Sequence, residues 1–124
     1  MSASARFLLV VRWTVLLVSA LACLYFLKSA AFSAWMSGGP PNPYPEGWAL
    51  RAKTQLLYSG ACLAAGVALF RAAQLTSGSR RLTLALAAGA AVLAVAPSAL
   101  VFLRVDACLD DGGRWNYAGN QCER

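Results

Sequence analysis

Histidine is absent from this chain, and acids are scarce: five Asp and Glu stand against eleven Lys and Arg. The first absence removes the commonest general base and the commonest metal ligand. Charge of either sign is also short, at 13% of residues, where a soluble domain carries about a quarter. With 59% of the chain hydrophobic, that deficit favours lipid over water as its surroundings. The net charge of +6 does not point to nucleic acid. The basic residues sit at the ends of apolar runs rather than along one face, no nucleic-acid-binding motif occurs, and they fit as helix-end anchors and topology signals. No Cys-x-x-Cys pair is present, which disfavours a redox relay from Cys23 and Cys62 to Cys108 and Cys122. No charge falls at the middle of an apolar run, where ion and proton pathways need one.

What is present is three long apolar runs. Leu82–Leu103 has no charged residue, and its polar side chains are only Thr83 and Ser98. As a helix it measures roughly 33 Å, close to the ~30 Å hydrocarbon core of a bilayer. A helix apolar all round is a membrane span or a deeply buried core element, and a chain of this size has no such core. A first span is expected at about 13–32, anchored by Arg12, with Lys28 snorkelling toward the far interface. Its length fits an uncleaved signal-anchor better than a cleavable signal. A second is expected at about 54–73, preceded by Arg51 and Lys53. The fold class is therefore an all-α membrane protein of three transmembrane helices over residues 1–105, with a short tail, 106–124, closed by a disulfide.

Between the first two spans, residues 37–49 carry four prolines in six positions, which exclude helix and favour extended backbone. Trp35, Tyr44 and Trp48 suit headgroup depth. The loop reads as a stiff connector with interfacial anchors, or else as a docking loop through Tyr44 and Trp48. Gly60, Ala64 and Ala68 recur every four residues and mark a helix-packing stripe, with Ala85 and Gly89 as its counterpart in the third span. Pro97 predicts a kink near Leu93. Residues 74–81 read as a tight basic turn.

An odd number of spans puts the chain ends on opposite sides. One side holds Arg6, Arg12, Arg71, Arg80 and Arg81 and no acid; the other holds six basic residues and all five acids. The dense basic turn, and two tail cysteines suited to an oxidising compartment, place the N-terminus in the cytoplasm and the C-terminus outside, in the periplasm if the source is bacterial.

A Cys108–Cys122 bridge would close a loop of about 15 residues, contributing on the order of 3 kcal/mol in the chain-entropy model, and a segment this small needs such a staple. Asp111-Gly112-Gly113 and Ala118-Gly119-Asn120 are turn signals. Arg114-Trp115-Asn116-Tyr117 between them predicts an extended piece, with Trp115 and Tyr117 on one face and Arg114 and Asn116 on the other. These four residues are candidate partner-binding groups, since Trp, Tyr and Arg are enriched in hot spots. The competing reading folds Trp115 back onto the membrane surface or the Pro-rich loop. Asp110 and Asp111 offer too few oxygens for calcium and no cleft for catalysis. No catalytic, metal-binding or cofactor-binding residue is expected.

Cys108-Leu109-Asp110, Gly112-Gly113 and Trp115-Asn116, followed by Cys122, resemble a tail found on small envelope proteins of proteobacteria, some of them immunity-like. The resemblance covers roughly 15 residues and implies a periplasmic, disulfide-bonded tail on an inner-membrane protein. Two function classes follow. One is a binding protein that presents the tail and Pro-rich loop to a protein partner, an immunity protein against a membrane- or periplasm-acting toxin being one version. The other is a structural accessory subunit packing laterally in an envelope or transport complex.

Overall fold

The computed structural model describes residues 2–74 and 80–124. They form α1 (Ala3–Gly38), α2 (Pro45–Ala72), α3 (Arg80–Asp110), β1 (Arg114–Asn116) and β2 (Gln121–Glu123). All three helices are long and apolar enough to cross a membrane. The two short strands pair antiparallel, so the extended piece expected in the tail is one strand of a hairpin on an otherwise helical chain.

The helices overrun the expected spans. Nothing in α1 breaks the helix until Gly38-Gly39-Pro40, so it runs 36 residues, roughly 54 Å at ~1.5 Å each. Ser2 caps its start, its hydroxyl accepting from the Ala5 N–H. The second helix begins at Pro45, not near residue 54, because proline is tolerated in the first turn, where its missing N–H has no intrahelical acceptor. Arg51 and Lys53 therefore lie within α2, and the linker between α1 and α2 shrinks to residues 39–44. Asn42 shapes that linker: its amide donates to the Met36 and Pro40 carbonyls, and its Oδ1 accepts from the Tyr44 N–H. α3 is continuous through Pro97, which is buried within it. Of the expected turn at 74–81, residues 75–79 lie outside the described residues, and Arg80 and Arg81 belong to α3.

The three helices form a row with α2 in the middle. α2 packs extensively on both α1 and α3, while α1 and α3 barely meet among the described residues. Against α1, Gly66 lies so close to Ser19 that a Cβ there would clash with the serine side chain. Further along the same seam, the Ser59 hydroxyl donates to the Cys23 carbonyl at 3.1 Å and lies 3.1 Å from the Cys23 sulfur. Aromatic pairs Trp13–Phe70, Phe26–Tyr58 and Phe32–Trp48 run along it, centroids 5.5 to 5.9 Å apart. Against α3, a Cβ on Gly60 would meet the Leu93 side chain at 3.3 Å. Gly60 thus faces α3, and Ala64 is half-buried. Gly89 corrects the expectation: a Cβ there meets nothing within 4 Å, and its neighbour Ala90 is the buried residue.

An open row leaves two broad apolar faces uncovered. None of the most apolar 18-residue window of α1 is buried. Leu17, Val18, Leu21 and Leu24 on α1, and Val92, Val95 and Phe102 on α3, are all more than half exposed. In water such faces would be costly; in hydrocarbon they are solvated.

Candidate functional site

At the α3 end of the row the tail folds into a cap over the helix ends. It starts from the way α3 stops. Gly112 adopts φ +74°, which glycine tolerates and other residues rarely do. The Gly113 N–H donates to the Cys108 carbonyl at 2.9 Å and the Gly112 N–H to the Leu109 carbonyl at 3.0 Å. These are the paired bonds of a Schellman cap, which turns the chain back toward the helix it has just left. β1 and β2 then pair in the register Arg114–Glu123, Trp115–Cys122, Asn116–Gln121.

A Cys108–Cys122 disulfide, Cα atoms 5.7 Å apart, ties β2 to the last turn of α3. Because Trp115 sits opposite Cys122, that bond draws the indole onto the helices. Trp115 is 8% exposed and clusters with Leu50 of α2 and Cys108, and Leu100, Val101 and Val105 of α3 pack against that cluster. This corrects Trp115 as a partner-binding residue: its ring is the core that docks the tail. The competing expectation, a fold-back onto the membrane surface or the Pro-rich loop, differs too: the ring clusters with residues of α2 and α3.

Tyr117 departs from its expected face for a local reason. The Asn116 Oδ1 accepts from the Ala118 and Gly119 N–H groups, so the chain turns immediately after β1. Tyr117 leaves the strand alternation and stands 77% exposed. Asn116 also donates to the Glu123 carboxylate, which makes it a turn-former more than a free contact group. Arg114 is exposed.

The turn rests on the Pro-rich linker. Gly119 is backed against the Tyr44 ring, and Gly47 against the Gly119 carbonyl, so closely that neither glycine can take a Cβ without displacement. The Gln121 amide donates to the Pro43 carbonyl at 3.2 Å. Tyr44 is thus half-buried beneath the tail. Trp48 is half-buried too, between Phe32 and the Arg51 guanidinium, which lies 5.5 Å from its ring centroid. Linker and tail, separate in sequence, are one surface. Gly47, Gly113 and Gly119 hold it together. Gly119 and Gly113 lie in recognised turn signals; Gly47 carries no distinguishing pattern.

Beside the disulfide the cap leaves a cavity of about 440 Å³, lined by Lys53, Arg104, Arg124, Glu46, Asp111 and Trp115 among others. Arg124 is paired with Asp111 at 3.0 Å, both largely exposed, so the pair adds little stability. No such pair holds Lys53 or Arg104 among the described residues. The Trp115 indole N–H and the Gln121 Oε1 are buried without a hydrogen-bond partner among those residues. An acceptor entering the cavity therefore meets Lys53 and Arg104, beside the carboxylate of Glu46. Comparison with known protein families, with curated proteins and with solved structures gave no match.

Proposed function

We propose that this chain is a small inner-membrane protein of a bacterium, N-terminus in the cytoplasm, that uses its periplasmic cap to bind a protein partner. The observation that carries this reading is the rigid cap itself: a disulfide-tied hairpin seated on the Pro-rich linker, with Tyr117 and Arg114 free at its surface. The cation-lined cavity suits an acidic side chain of the partner, which Lys53 and Arg104 would neutralise. An immunity protein that occupies a toxin at the membrane surface is one version that fits the size and layout. A photo-crosslinking residue at position 117 should capture a single partner in intact cells, whereas one at position 92, on the far face of α3, should not. Equal capture at both would overturn the reading.

A second reading, an accessory subunit held laterally in an envelope or transport complex, draws on the uncovered faces of α1 and α3. Substitution at Gly60 does not discriminate here, because Gly60 packs inside the row. Polar substitutions at Leu21 and Leu24, or at Val92 and Val95, are the ones that separate lateral assembly from cap binding.

A further inference from the structure

The end of the row opposite the disulfide carries Arg6, Arg12, Arg71, Arg80 and Arg81, with no Asp or Glu. Two of these arginines come to one level on antiparallel helices. The Arg12 guanidinium lies 4.4 Å from the Phe70 ring centroid, Trp13 meets the same ring edge-on at 5.5 Å, and Arg71 follows Phe70 in α2. The Nε atoms of both Arg12 and Arg71 are buried, and neither has a hydrogen-bond partner among the described residues. A buried N–H donor without an acceptor costs free energy, and two at one level call for an anionic acceptor.

We propose that Arg12 and Arg71 hold the phosphate of an anionic phospholipid. The inference rests on the membrane reading of the chain. Guanidinium forks match phosphate oxygens through paired, charge-assisted bonds. The surroundings fit a lipid rather than a free phosphate, since Val10, Trp13 and Leu69, each more than half exposed, flank the pair and offer an apolar surface for acyl chains. Net charge selects the class: a zwitterionic lipid would bring an ammonium to an end that already has five cations, and an anionic one would not.

The test uses the full chain in a neutral detergent, titrated with phosphatidylglycerol, phosphatidylcholine or glycerol phosphate, with bound lipid counted by native mass spectrometry. Phosphatidylglycerol should bind at least tenfold more tightly than phosphatidylcholine. Arg12→Gln and Arg71→Gln should each weaken it by about tenfold, and Lys28→Gln, exposed toward the other end, should not. Arg12→Lys keeps the charge and loses the fork, so it should bind at an intermediate level with helical content unchanged. Equal binding of the two lipids, or an equal loss with Lys28→Gln, overturns the site. Displacement of the lipid by glycerol phosphate overturns lipid as its occupant. Cell fractionation is the separate check: a chain recovered in the soluble fraction defeats the membrane reading, whereas an embedded chain without lipid preference defeats this site alone.

Discussion

Trp115 and Cys122 face each other across the two strands of the hairpin, so the indole and the disulfide share one rung. The disulfide to Cys108 holds that rung from β2, and the packing of the ring with Leu50 and Cys108 holds it from β1. Breaking the first should release the second. In Cys108→Ser, or after reduction, the chain should become cleavable by trypsin at Arg114 in protein reconstituted in vesicles with the cap outward, while the helices stay protected. The closed loop is worth about 3 kcal/mol in the chain-entropy model, enough to shift the docked fraction by more than a hundredfold. Cleavage rates equal in oxidised and reduced protein would show that packing alone holds the tail.

Truncating the ring tests the packing half of that pair. Burial of Trp115 at 8% exposure places Trp115→Ala in the class of core truncations, which cost about 3–5 kcal/mol. The disulfide should still form in this variant, because Cys108 and Cys122 remain, but hydrogen exchange across β1 and β2 should speed up. Tyr117→Ala should leave exchange unchanged and, if the cap binds a partner, weaken capture. The two variants therefore separate tail folding from tail recognition.

Much of this architecture was legible in the sequence, and the exceptions have physical causes. Charge-free length identifies an apolar helix regardless of its neighbours, so Leu82–Leu103 reads correctly in isolation. Helix ends outside the hydrocarbon depend on caps and breakers: α1 runs on to Gly38 because nothing earlier stops it, and α2 starts at Pro45 because proline initiates a helix as readily as it ends one. The fate of Trp115 depended on which helix the disulfide would draw it toward, a relation between residues that local alternation does not contain. A single stripe of small residues assumes one partner, whereas α2 has two. Gly60 and Gly66 are six residues apart, about 120° around a helix, and serve α3 and α1 respectively.

That division predicts an order of tolerance among the helix glycines. Gly66→Leu should be the most damaging, because Ser19 stands in the way on a neighbouring helix backbone and the seam would have to open. Gly60→Leu should be milder, since the obstacle is the tip of the Leu93 side chain, which can change rotamer. Gly89→Ala should be neutral or stabilising: it meets open space and gains about 0.5–1 kcal/mol of helix propensity. Thermal unfolding in detergent, followed by circular dichroism, gives the ranking. A Gly89→Ala variant as damaged as Gly66→Leu would mean that the outer face of α3 is packed against something.

Orientation is the last consequence of the charge layout. The end of the row with Arg12, Arg71 and Arg80 has no acid, and the cap end holds all five acids and the disulfide. Lys and Arg numbers, five against six, are nearly level, so the proposed orientation, N-terminus in the cytoplasm, draws on the dense basic run of Arg71, Arg80 and Arg81 and on the disulfide at the other end. In intact cells a membrane-impermeant thiol reagent should leave Cys108 and Cys122 unlabelled before reduction and label both after a membrane-impermeant reductant. Cys23 and Cys62, free and within α1 and α2, should stay unlabelled throughout. An alkaline phosphatase fusion after Arg124 should be active. Free labelling of Cys108 and Cys122 without reductant would remove the staple from the cap, and an inactive fusion would turn the whole row over and place the cation-lined cavity in the cytoplasm.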